Sequence, residues 1–369
     1  MKTLITLTVT LILSFFFSQA QASSTLKKDF ITGNPGIVSI HKMTFGPEGI
    51  LFIGDSNAAQ VVAIDFSEHP KLDNSKVKLD NLDKLVADMM GTTIDQVQIT
   101  DMVVNPNNNN IYLSINHSSG IPILLRVEDN VLKQVPLDNV SYTKTTLLDP
   151  ISKEAEDRRG RKLRKWAVAD IKYIDGKLLL SGLSNKEFAS TFRAIDFPFS
   201  ETQNYSSLEI YHAAHGKYET HAPIKTFIPT KINGELQVLA GYTCTPLVIF
   251  PMNKMKSGEH QKGRTVAELG SGNSPIDMIE IENEGNRYLL ISNSNRALMK
   301  IDFKDLEAYQ GELTKPVVKK GAAEGVDYVN LPYVNVQQLD KMGNNGFVII
   351  QRESNGNLAL KAGNSWWVK

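Results

Sequence analysis

The chain has 369 residues, 41% hydrophobic and 22% charged, with 40 basic and 40 acidic side chains, 25 glycines, 15 prolines and one cysteine. This composition excludes a disordered tail, a collagen-like rod and a coiled coil, and the charge balance argues against bulk association with nucleic acid or an anionic membrane. A lone cysteine excludes an internal disulfide and any zinc site built on two or four thiolates.

Lys2, the apolar run Leu4 to Phe17 and the small residues Ala20-Gln21-Ala22 predict a signal peptide over residues 1–22. The run is short and soon followed by Lys27 and Lys28, so no membrane span is expected after cleavage. The mature chain, 23–369, is expected to be one soluble domain, periplasmic or secreted. From His41 the sequence reads His-Lys-Met-Thr-Phe-Gly-Pro-Glu-Gly-Ile-Leu-Phe-Ile-Gly-Asp55, a short apolar strand, a glycine turn and a second strand, followed by Val61-Val-Ala-Ile-Asp-Phe66. Related units follow. Taking Met43, Met102, Ile171, Ile224, Met278 and Val336 as equivalent gives intervals of 53 to 69 residues.

Units of three or four short strands at that period are the size of propeller blades, and one small sheet cannot cover both its faces unless others pack radially against it. The expected fold is therefore all-β, a six-bladed β-propeller with one short helical insertion, its blades starting near residues 41, 101, 170, 223, 277 and 335. Leu26 to Thr32 is free to supply the outer strand of the last blade and so close the ring. A β-sandwich with a small second domain is the alternative.

Within this frame, Leu82, Leu85, Val86, Met89 and Met90 fall on one helical face, with Asp80 or Asn81 placed to cap it. Such a helix serves as a lid over the channel or as a packed insertion. Asp101, Asp170 and Asp277 each precede an inner-strand apolar residue, a position held by Asn335 in the last blade. Three carboxylates recurring there suit a hard ion such as calcium, or else cap a recurring turn. Their mutual repulsion requires a cation if they converge.

Residues 154–165 run from acidic to basic, and Arg158, Arg159 and Arg161 suit an anion or an acidic partner surface if they are not paired within the loop. Tyr211-His-Ala-Ala-His-Gly-Lys-Tyr-Glu-Thr-His221 holds three of the seven histidines, and Tyr242-Thr-Cys-Thr-Pro246 lies in the 2-to-3 loop of the same region. His212, His215, Glu219, His221 and Cys244 should thus share the upper face, where nitrogen and sulfur donors suit zinc or copper. The bland alternative is a pair of strand-edge histidines beside a small buried hydrophobe. Asn295, Arg296 and Arg352 occupy further 2-to-3 loops on that face, and His41 opens the first inner strand.

Phe45-Gly-Pro-Glu-Gly-Ile-Leu-Phe-Ile-Gly-Asp55 resembles the recurrent strand, Pro-x-Gly turn, strand and Gly-Asp pattern of six-bladed NHL-repeat and gluconolactonase-like proteins. The resemblance implies the fold for the whole mature chain. In the gluconolactonase-like family it would also imply a channel metal held by an early Glu with Asn and Asp, but here His41 holds the early position and no Asn-Gly-Leu signature precedes the later strands. No Gly-x-Ser-x-Gly elbow, Walker loop, opening Gly-x-Gly-x-x-Gly or Cys-x-x-Cys-His occurs. The functional expectation is a scaffold that binds a small ligand or a protein partner through its upper loops. The alternatives are a lactonase-like metal-dependent hydrolase, and electron transfer or metal delivery through Cys244 and histidine.

Overall fold

The computed structural model describes residues 25–67, 71–319, 321–343, 345–363 and 365–368; the expected signal peptide lies outside them. Six sheets form the blades, antiparallel except where His260–Lys262 joins Gln203–His212 in parallel. Inner, second and third strands are Lys42–Phe45, Ile50–Asp55 and Gln60–Asp65 in blade 1, and Val97–Val104, Ile111–His117 and Pro122–Glu128 in blade 2. They are Asp170–Ile174, Lys177–Leu183 and Ser190–Asp196 in blade 3, and Thr226–Ile232, Glu235–Gly241 and Pro246–Pro251 in blade 4. Pro275–Asn283, Asn286–Asn293 and Met299–Asp302 build blade 5, and Val336–Met342, Gly346–Arg352 and Leu358–Ala362 build blade 6. Among the described residues no helix is long and apolar enough to cross a membrane.

Side chains alternate across a strand, so a blade wedged between two others must be apolar at every position. Ile50-Leu-Phe-Ile53 shows this. Leu51 and Ile53 pack with Val103, Tyr112 and Leu124 of blade 2, whereas Ile50 and Phe52 pack with Ile171, Leu178 and Leu180 of blade 3. Blade 1 therefore stands between blades 2 and 3. The other face of blade 2 meets blade 6 through Met102, Leu113, Val348 and Ile350, and the remaining interfaces join blades 3 to 4, 4 to 5 and 5 to 6. The spatial order around the ring is 6-2-1-3-4-5.

Two outer strands enforce that order. After blade 2 the chain returns, and Val140–Thr146 completes blade 1 against Gln60–Asp65. Between blades 1 and 2 it crosses to blade 6, where Lys78–Leu79 pairs with Leu360 and Lys361. Closure thus departs from the expectation for the N-terminal stretch: Ile31–Gly33 lies beyond Val140–Thr146 as a fifth strand of blade 1.

The expected helix forms over Leu82–Met89, preceded by Asn81 in the left-handed conformation without a side-chain cap bond. Leu82 and Val86 are fully buried between blades 2 and 6. The helix is a packed insertion, and none of its residues lines the cavity at the upper channel mouth. A shorter helix, Phe303–Ala308, follows the third strand of blade 5 and buries Phe303 and Leu306.

Candidate metal centre and channel

The expected inner-strand carboxylates do converge, and each is a stitch to the neighbouring blade. Asp101 Oδ2 accepts the Met43 N–H at 2.7 Å, Asp170 Oδ2 that of Phe227 at 2.9 Å, and Asp277 Oδ2 that of Leu339 at 2.9 Å. Met43, Phe227 and Leu339 are therefore equivalent, which moves the repeat by three residues in blades 4 and 6, from Ile224 and Val336. The column reads Lys42, Asp101, Asp170, Thr226, Asp277 and Gln338, so blade 6 contributes Gln338 in place of the expected Asn335. Register shifts at Ile99/Asp101, Pro275/Met278 and Val336/Gln338 place irregular backbone beside three of these positions.

No metal is needed to hold the carboxylates together. Lys42 Nζ stands 2.8 Å from Asp101 Oδ1 and 3.2 Å from Asp277 Oδ1, and Lys172 Nζ lies 3.1 Å from Asp170 Oδ1. The cation that converging carboxylates require is supplied by ammonium groups. Asp340, which the sequence pattern did not single out, is the fourth stitch, accepting the Val104 N–H at 2.7 Å; burial pushes its carboxyl up to about 7. This layer separates a lower cavity of about 440 Å³, lined by Asp101, Asp170, Asp277 and Asp340, from an upper one of about 450 Å³ lined by His41, Lys42, Lys165, Trp166 and Lys225.

The histidine-rich segment is a hairpin. Gln203–His212 turns through Gly216 and returns as Lys217–Glu219, with Ile210 opposite Glu219. That turn brings Glu219 beneath both imidazoles: Oε2 lies 2.8 Å from His212 Nδ1 and Oε1 lies 2.8 Å from His215 Nδ1. Burial raises the Glu219 carboxyl, but the bonds from His212 and His215 outweigh it and leave its pKa at about 2. An ionised carboxylate only accepts, so each Nδ1 carries a proton, which leaves Nε2 as the atom of each ring that could bind a metal. The ring centroids are 3.8 Å apart. His212 is buried, and its Nε2 has no hydrogen-bond partner.

Cys244 reaches this pair from the 2-to-3 loop of blade 4. Cys244 and Thr245 both have positive φ, 65° and 67°, a conformation that side-chain-bearing residues adopt only when their surroundings hold them there. Here the Cys244 N–H donates to Asn273 O at 2.8 Å and Thr245 Oγ1 donates to Gly270 O at 2.9 Å. One donor atom each from His212, His215 and Cys244 lie within 4.8 Å of one another, and the cluster runs from the buried His212 to the exposed His215.

Of the five donors expected here, three meet and Glu219 stands behind them as an orienting carboxylate. His221 lies apart, exposed and bonded at Nδ1 to Thr220 Oγ1. Glu268 is a neighbour that the sequence pattern did not reveal. It is fully buried, its Oε2 accepts the Ala214 N–H at 3.1 Å, and its Oε1 is unpartnered. Burial pushes its carboxyl up to about 7, the Ala214 amide pulling it back and the Glu219 charge adding to the rise. A carboxyl raised in the folded state gives stability below its unfolded value, and that stability is lost as pH climbs to the folded one. In chelator-treated protein, Glu268→Gln should therefore match the parent near pH 4 and exceed it by about 2–3 kcal/mol at pH 8.5. Urea denaturation at the two pH values measures this, and equal curves at pH 8.5 would refute it.

The remaining candidates bond to Asp157 or to nearby backbone carbonyls. Arg161 Nε donates to Asp157 Oδ2 at 2.6 Å, and the N–H groups of Arg159 and Arg161 bond Asp157 Oδ1. Arg158 and Arg159 are exposed, and from this segment Lys165 and Trp166, not the arginines, line the channel mouth. Asn295 Nδ2 donates to Gly272 O at 2.7 Å, Arg296 reaches Gly321 O, and Arg352 Nη1 donates to Gly356 O at 2.7 Å.

No family model and no curated protein matches this chain. Among solved structures it is similar to the hydrazine synthase of Kuenenia stuttgartiensis, at 11% identity and a TM-score of 0.37, over 90% of this chain and 97% of that one. It is also similar to the GH43 endo-arabinanase of Bacillus licheniformis, at 12% identity and a TM-score of 0.37, over 72% and 93%. A third likeness is to Raptor of Chaetomium thermophilum, at 10% identity and a TM-score of 0.32, over 91% of this chain but 26% of that one. Likenesses this distant carry no argument about function.

Proposed function

We propose that the chain is a metal-dependent hydrolase whose centre is formed by His212, His215 and Cys244, with Glu219 fixing both histidines. The observation that carries this reading is the buried Nε2 of His212, left without a hydrogen-bond partner in a cluster where His212, His215 and Cys244 bring one donor atom each to within 4.8 Å of one another. Two nitrogens and a sulfur favour zinc or copper over calcium. Three protein donors leave one position for water or substrate, as in catalytic rather than structural zinc sites, and the exposed His215 keeps the site accessible. A bound divalent ion would supply Lewis acidity and a water nucleophilic at neutral pH. The protein's part is to hold the imidazole tautomers through Glu219 and to keep, in Glu268, a buried carboxyl able to exchange a proton near neutrality.

Protein purified without chelator is expected to hold about one zinc or copper per chain by elemental analysis, and His215→Ala or Cys244→Ser should remove it. Hydrolysis of p-nitrophenyl acetate and of a simple lactone should disappear on chelation and return with added metal. Metal-free protein that takes up no ion, with both variants unchanged, would defeat the proposal.

A further inference from the structure

The upper channel cavity is lined by cations. Its wall carries Lys42, Lys165, Lys225 and His41 and no carboxylate, because the inner-strand Asp side chains are drawn to the layer beneath. Lys42 is engaged with that layer, but Lys225 has no carboxylate partner among the described residues: its ammonium rests over the Trp166 ring, 3.3 Å from the centroid. Burial, and then the charges of Lys42 and Lys165, push Lys225 down to about 7, a conflict that an anion in the cavity relieves.

The rest of the wall suits hydroxyl groups. Gln98 and Asn116 face each other across paired strands and both line the cavity. Gln338 is buried beside them, its Nε2 bonded to Thr100 O and its Oε1 without a partner. The amides open to a ligand are those of the exposed Gln98 and the half-buried Asn116, and an amide both donates and accepts, which suits hydroxyl groups. A volume of about 450 Å³ lies within the range of small-molecule sites.

We infer that the upper channel mouth is a binding site for a small hydroxylated organic anion of the sugar-acid or sugar-phosphate class, its anionic group on Lys225 and Lys165 and its hydroxyls on Gln98 and Asn116. The site is separate from the histidine and cysteine cluster and does not depend on the metal reading.

Isothermal titration of the full chain with D-glucuronate, glucose 6-phosphate, glucose and inorganic phosphate tests this. At least one of the two sugar anions should bind, about ten-fold or more tighter than glucose or phosphate, and the better one identifies the anionic group. Lys225→Met should weaken that binding about ten-fold or more, and His215→Ala should leave it unchanged. Lys165→Ser, at an exposed position, gives a second reading through a smaller loss and a shallower salt dependence. No heat from either sugar anion, equal affinity for glucose, or unchanged affinity in both lysine variants would overturn the inference.

Discussion

Replacing Lys42 with methionine is expected to lower the stability of the propeller by about 3–5 kcal/mol at pH 8, the range found when one partner of a buried ion pair is removed. Lys42 is the only ammonium within salt-bridge distance of Asp101 and Asp277 among the described residues, and their side chains are 5% and 12% exposed. Neither carboxylate can swing away, because each holds a backbone N–H of the neighbouring blade through its other oxygen. Burial already holds Asp101 above the usual carboxylate range, with Lys42 opposing. Without Lys42 the Asp101 carboxyl rises further. A carboxylate raised in the folded state loses stability as pH climbs from its unfolded value of about 4 through its folded one. The deficit should accordingly be largest at pH 8 and shrink towards pH 5. Urea denaturation of parent and variant at both pH values measures it, and a deficit below about 1 kcal/mol, or one independent of pH, would show that the ammonium is not what holds the carboxylates in place.

Glu219→Gln should weaken metal binding about 10- to 100-fold while leaving all three proposed donors in place. A glutamine accepts through one oxygen and presents an amide to the other imidazole, so one ring must reverse its tautomer or turn. Either change takes an Nε2 lone pair out of the position in which the Glu219 carboxylate holds it. Competition with a chromogenic chelator, titrated with zinc, gives the affinity. Unchanged affinity would mean that the histidines are positioned by their backbone turn alone, whereas complete loss would place Glu219 among the ligands.

Much of this molecule is legible in its residues. Strand-turn-strand units with apolar strands reveal the blades, because the inner three strands of each blade pair as neighbours in sequence. That His212, His215 and Cys244 share one face follows from strand alternation, since both segments sit at the same end of adjacent sheets, whereas their approach depends on the turn at Gly216 and the positive φ of Cys244. Ring order is different. It depends on which face of Ile50–Asp55 meets which neighbour, and two apolar faces look alike in sequence. The two residues of Lys78–Leu79 carry no strand pattern at all. The carboxylate column was legible in three blades and lost in blade 6, where the register shift at Val336/Gln338 breaks the spacing. Lys42 occupies that same column one residue before Met43. A basic residue in a row of acidic ones is a signal for their compensating charge, and it lies in the sequence unaided. Glu268 and Gln338 gave no such signal, because their importance comes from partners they lack in three dimensions.

The lacing of blades 6, 2 and 1 sets an order of assembly. Blade 1 stands incomplete until residues 140–146 return to it, and Lys78–Leu79 has no sheet to join until the third strand of blade 6 is formed. The seam at blade 6 thus pairs positions about 280 residues apart, a costly contact for a folding chain to make early. Blades 3, 4 and 5, each built from consecutive strands except for short edge additions, can form while the seam is still open. The upper mouth, which draws Lys42 from blade 1, Gln98 from blade 2 and Gln338 from blade 6, takes shape only when the seam closes. The histidine and cysteine cluster, built on blades 3 and 4, can be in place before it.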